Sequence, residues 1–142
     1  MATAFSKVYE SFLDKVTDYD LADMTEETAD AVMRSLLNYA IVRFSESCKK
    51  DLSQVTAEDE FVEDLSLTEI DILGEGMVVA WLKPYHNNYD LLHNSLSTKD
   101  FTTFSPANLL DKINDAYKMS RANFLARIKE YSYIQNDVGD LV

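Results

Sequence analysis

Among 142 residues there is one cysteine, three glycines and two prolines, and each shortage excludes something. A lone Cys48 cannot build an internal disulfide framework and fits a reducing compartment. So few glycines and prolines cannot supply the many tight turns of a β sandwich or barrel, which favours long helices with few connections. No uncharged stretch approaches the roughly 20 residues that span a bilayer. The opening Met1-Ala2-Thr3-Ala4-Phe5 shows no basic region followed by an apolar run, so no secretory signal is expected. Basic residues are also short: 13 Lys and Arg against 25 Asp and Glu give a net charge of −12. That balance argues against a nucleic-acid binder with a basic footprint, and against attachment to an anionic membrane surface.

What is present reads as a soluble helical domain, with 46% hydrophobic and 27% charged residues in a length that suits one sizeable core. The chain is organised around residues 65–83. Ser66 is placed to cap a helix, Glu69 stands three residues on where its carboxylate reaches back to the Ser66 N–H, and Leu65 with Ile70 makes the hydrophobic staple. Residues 77–82 carry no charge and include the only tryptophan, Trp81, so this helix is expected to be central and Trp81 buried. Gly74 and Gly76 cost helix propensity of about 1 kcal/mol each, which points to a close crossing by a neighbouring helix. Pro84 is expected to end or kink the helix near Leu82.

The flanking segments show the same periodicity. Phe5, Val8, Tyr9, Phe12, Leu13 and Val16 predict a first helix over 2–17. Thr25 is placed to cap a second helix, whose apolar face from Ala29 to Phe44 carries it to about Ser47. Residues 48–64 read as an acidic loop holding at most one helical turn. Tyr85, Tyr89, Leu92 and Leu96 space out a short helix over 85–97. Ser105 as cap, Pro106 at the first helical position, and Phe104 with Leu109 as staple open a last helix that ends near Tyr133. The expected fold is all-α, about four to five helices in a compact helical bundle over 1–133, with an extended C-terminal tail over 134–142.

No stretch spells out a reaction. Gly-rich phosphate loops, Gly-x-Ser-x-Gly and His-Glu-x-x-His are all missing. Asp18, Asp20, Asp23, Glu26, Glu27 and Asp30 lack the twelve-residue calcium-loop pattern and read as a solvated acidic face, as do Glu58, Asp59, Glu60, Glu63 and Asp64. His86 and His93 stand seven apart without a matching carboxylate or thiolate, a poor zinc set that reads as surface or helix-end histidine. Cys48 has no nearby histidine to activate it and reads as a buried small residue. No catalytic residue, metal or cofactor is expected, and the chain is not expected to be an enzyme. Charge is uneven: residues 1–65 carry 15 acidic and 6 basic residues, a balance of −9, whereas residues 106–133 carry 3 acidic and 5 basic, a balance of +2. The basic residues Lys112, Lys118, Arg121, Arg127 and Lys129 are therefore candidates for contact with an acidic surface of a neighbouring subunit, at residues 18–30 or 58–64. Tyr131, Tyr133 and Ile134 stand where the last helix runs out. They either pack back on the domain or anchor on a neighbouring protein.

Four pieces taken together resemble a known class: Leu67-Thr68-Glu69-Ile70-Asp71-Ile72-Leu73; Gly76-Met77-Val78-Val79-Ala80-Trp81-Leu82-Lys83-Pro84; Lys99-Asp100-Phe101-Thr102-Thr103-Phe104-Ser105-Pro106-Ala107-Asn108-Leu109-Leu110; and Lys129-Glu130-Tyr131-Ser132-Tyr133. They are similar to small structural proteins among the head and neck components of tailed bacteriophages of Gram-positive hosts, over roughly residues 65–135. The resemblance implies a non-enzymatic head–tail connector or adaptor subunit. Such a subunit forms a homo-oligomeric ring, often a dodecamer, beneath the portal protein, beside other neck or tail proteins and near packaged DNA. It would be assembled in the host cytoplasm and located in the virion neck. An acidic lining suits a channel through which DNA slides, because phosphates are repelled. The rival reading is an acidic helical DNA mimic or inhibitor that occupies a DNA-binding protein's basic groove. A weaker rival is an enzyme that uses the acidic groups with a metal.

Overall fold

A computed structural model of the chain describes residues 2–18, 30–87 and 106–140, with side chains of the last helix described over 111–133. Among these residues the fold is all-α: α1 (Phe5–Asp18), α2 (Asp30–Phe44), α3 (Leu67–Asn87) and α4 (Pro106–Asp140), joined by two short strands, β1 (Thr3–Ala4) and β2 (Glu60–Phe61). The predicted caps at Thr25 and Ser105, the residues 89–97 and His93 lie outside the described residues.

α3 is the centre, and α1, α2 and α4 all pack on it. Its start follows the capping box closely: the Ser66 N–H donates to Glu69 Oε1 at 2.7 Å, and the Glu69 N–H donates to Ser66 Oγ at 3.2 Å. Leu65 and Ile70 are both buried, as the staple requires. The two glycines serve the close crossings expected of them. A Cβ on Gly74 would stand 2.4 Å from Ser11 Oγ and 3.2 Å from the Phe12 backbone nitrogen in α1. A Cβ on Gly76 would stand 2.7 Å from Ala40 Cβ in α2 and 2.8 Å from the Phe124 ring in α4. Both α2 and α4 therefore come within contact of one backbone position. Trp81 is buried, with 9% exposure, and meets Phe12 edge-on at 5.7 Å between ring centroids.

Several boundaries differ from the sequence reading. α3 runs through Pro84 to Asn87, because proline removes one N–H near the exposed end but leaves φ within the helical range. Contacts of His86 with α4 hold that last turn. The first residues form β1 rather than helix, and α1 begins at Phe5, whose N–H donates to the Asp59 carbonyl at 3.0 Å. Asp59 itself has φ of 59°, a left-handed conformation that aspartate tolerates better than most residues. α2 ends at Phe44 in a turn rather than reaching residue 47.

Residues 48–64 are more than a solvated loop. β2 pairs antiparallel with β1, Thr3 opposite Phe61, and a further bridge joins Val55 to Phe61. Phe61 and Leu52 are fully buried while Val62 is exposed, the two-sided alternation of a strand. Thr3 Oγ1 accepts the Leu65 N–H at 2.8 Å and donates to the Glu63 carbonyl at 3.1 Å, so the N-terminal strand fixes the entry to α3. α4 continues as helix to Asp140 rather than stopping near Tyr133. A helical stripe reports a buried face, and backbone hydrogen bonding propagates past it once a helix is nucleated.

Candidate functional site

A cleft of about 760 Å³ lies between the first turns of α3, residues 49–50 and the later part of α4. Its floor is a polar cluster centred on Glu69. The carboxylate is buried at 3% exposure and accepts hydrogen bonds on both oxygens. Oε1 receives the Ser66 N–H at 2.7 Å and Lys50 Nζ at 2.9 Å. Oε2 receives the Tyr131 hydroxyl at 2.6 Å, with the Cys48 thiol at 3.9 Å. Tyr131 Oη in turn accepts the Lys49 N–H at 3.1 Å, and Lys50 Nζ also donates to the Asp64 carbonyl at 2.8 Å. One carboxylate thus ties the start of α3 to the segment after α2 and to α4.

The electrostatics follow from those bonds. Burial alone would raise the Glu69 pKa, but hydrogen bonds from Tyr131, the Ser66 N–H and Lys50 outweigh it and leave the carboxyl below its ordinary value. Burial and the bond to Glu69 push the Tyr131 hydroxyl well above its ordinary value. The bond to Glu69 raises Lys50. Burial raises the Cys48 thiol, so it stays protonated and is a weak nucleophile. A general base needs an open lone pair and a pKa near the working pH. Glu69 has four donors on its carboxylate and a lowered pKa, and its geometry is that of a structural latch.

A second polar chain runs beside it. Lys15 Nζ of α1 lies 2.6 Å from Asp71 Oδ1 and 4.0 Å from Glu75 Oε1, Arg127 of α4 pairs with the other oxygen of Asp71, and Ser120 Oγ donates to the buried Glu75 Oε2 at 2.8 Å. Burial lowers the Lys15 pKa, Glu75 opposing and the nearby Arg127 charge adding to the effect. These side chains bridge α1, α3 and α4.

A smaller cleft of about 440 Å³ opens at the end of α3, between His86, Asn87, Tyr117, Lys118, Arg121 and Ala122. His86 stacks on Tyr117 at 4.3 Å, and its Nδ1 lies 2.7 Å from Asn114 Oδ1, so with Asn114 in this orientation Nδ1 carries the proton. This is a helix-end histidine held by its neighbours.

The candidate residues from the sequence separate into two groups. Tyr131 is buried at 6% exposure against Phe44 and Glu69, within the chain's own core, and Arg127 is engaged with Asp71. Lys112, Lys118, Arg121, Lys129 and Tyr133 are exposed, Tyr133 at 67%. The side chain of Ile134 lies outside the described ones. Among the described residues no group of three or more His, Cys, Asp and Glu is gathered to hold a metal ion, and no helix is long and apolar enough to cross a membrane. Sequence reasoning missed Lys50, Cys48 and Tyr131 as partners of Glu69. The capping box already named Glu69, but its second oxygen is filled across 62 residues of sequence, for which local spacing gives no signal. No family model matches the chain, and no curated protein or solved structure shows significant similarity to it.

Proposed function

We propose that this chain is a non-enzymatic assembly subunit, a head–tail connector that forms a ring below the portal in the neck of a tailed phage, around the DNA channel. The observation that carries the non-enzymatic part is the Glu69 latch. The ionisable groups on the floor of this cleft are bonded to one another, and they fasten helices together instead of presenting a base or nucleophile to a substrate. The neck assignment is supported by the resemblance over residues 65–135. The pieces that carry it include Glu69 of the capping box, Gly76 at the crossing with α2 and α4, the start of α4, and Tyr131 of the latch. A rigid bundle with ionic outer faces is the kind of part that neighbouring neck and tail proteins can clasp.

An acidic mimic of DNA is favoured by one feature, the exposed carboxylates of Glu10, Asp14 and Asp18 along α1. The exposed cations of α4 fit a connector better, because a mimic needs a surface of one sign. The decisive experiment is imaging of particles together with loss of the chain. A connector appears as density beneath the portal, and heads made without it fail to join tails. Absence of the chain from mature particles, with tail joining unaffected, contradicts the proposal.

A further inference from the structure

The outer face of α4 combines exposed apolar side chains with cations. Opposite the buried Ile113, Ser120 and Phe124, the helix exposes Met119, Ala122, Leu125, Ala126 and Tyr133, with Met119 at 59% and Leu125 at 45% exposure. Residues 116–129 contain Lys118, Arg121, Arg127 and Lys129 and no carboxylate, in a chain whose net charge is −12. The cleft of about 440 Å³ beside this face is likewise lined, among the described residues, by Lys118, Arg121 and His86 without a carboxylate. Alternating apolar and cationic groups on one helix face suit an acidic amphipathic helix rather than a bare phosphate backbone, which offers nothing to Met119 or Leu125.

The chain itself carries such a helix. On α1 the exposed side holds Glu10, Asp14 and Asp18 in one row after an exposed Lys7 at its start, with Leu13 beside them at 38% exposure. Glu10 and Asp18 are eight residues apart, as are Arg121 and Lys129, so both pairs span about 12 Å along their helices. Two copies of the α4 face would repel each other, which disfavours an isologous contact between them. Resting on the reading of the chain as an assembly subunit, we infer that the outer face of α4 docks on the outer face of α1 of a second copy, with Arg121 and Lys129 facing Glu10 and Asp18. A contact between two different faces is heterologous, and it closes into a ring when the rotation per subunit fits. Arg127 is held by Asp71 within the subunit and stays outside this contact.

The test is charge exchange, read by sedimentation velocity over a range of protein concentration and salt, with circular dichroism to confirm intact helices. Arg121→Glu/Lys129→Glu should weaken self-association at low salt by about tenfold or more, as should Glu10→Lys/Asp18→Lys. The variant carrying all four substitutions should recover it, because each face again meets its opposite. The inference is overturned if neither double variant changes association, if the fourfold variant stays weak, or if the unaltered protein is monomeric at every concentration. It is also overturned if the α4 face instead binds a short DNA duplex by fluorescence anisotropy and loses that binding in Arg121→Glu/Lys129→Glu. A ring seen in particles with a different contact would remove this interface and keep the connector reading. Charge-exchanged association in solution without presence in particles would do the reverse.

Discussion

The two sides of α4 differ in what holds them. The inner side presents Ile113, Tyr117, Phe124 and Tyr131 to α2 and α3, and its polar groups, Ser120 and the Tyr131 hydroxyl, each donate to a buried carboxylate of α3. The outer side presents Met119, Leu125 and Tyr133 to solvent between cations. The same helix therefore closes the subunit with one face and leaves apolar area uncovered on the other. The contrast separates residues that determine folding from residues open to assembly, and substitutions on the two sides should act on different measurements.

The largest effect is expected at the inner side. Phe124→Ala removes a ring that is fully buried against Gly76 and should destabilise the subunit by about 3–5 kcal/mol in denaturant unfolding. Trp81→Ala should cost a similar amount, and the folded protein should emit blue-shifted tryptophan fluorescence. Tyr131→Phe should cost about 1.5–3 kcal/mol, since it takes a donor from a buried carboxylate and an acceptor from the Lys49 N–H. The same cluster sets a pH dependence. Tyr131 and Lys50 have raised pKa values in the folded state, so their stabilisation is present below their ordinary values of 10.0 and 10.5 and is lost as pH rises above them. Glu69 has a lowered value, so its contribution is present above 4.5 and is lost as pH falls further. Alkaline loss of stability should be smaller in Tyr131→Phe than in the unaltered protein, measured by thermal melting across pH. Gly76→Ala should destabilise by about 1–3 kcal/mol from overpacking, after a propensity gain of up to about 1 kcal/mol. Leu125→Ala on the outer side should change subunit stability by no more than about 0.5 kcal/mol.

The sequence made the centre of the fold legible because its signals there are local. The capping box, the staple, the paired glycines and the uncharged run around Trp81 all lie within residues 65–82, and each has the role expected of it. β1 and β2 were not legible, since two-residue strands show no measurable alternation and pair across 58 residues of sequence from Thr3 to Phe61. Pro84 misled because proline removes one donor without forbidding a last turn that neighbours hold. The Glu69 latch was half legible: the bond to Ser66 is local, while those from Lys50 and Tyr131 exist only once α2 and α4 are packed. The basic residues of α4 were named as a group, but spacing gave no sign that Arg127 pairs with Asp71 within the chain while Arg121 and Lys129 stand exposed.

The division between the two sides of α4 is tested most directly by measuring melting temperature and sedimentation on one preparation of Arg121→Glu/Lys129→Glu. Under dilute conditions where both proteins are monomeric, the melting temperature should stay within about 2 °C of the unaltered subunit. At higher concentration and low salt the unaltered protein should associate and the variant should remain a monomer. A fall in melting temperature comparable to that of Phe124→Ala, or association identical to that of the unaltered protein, would contradict the account.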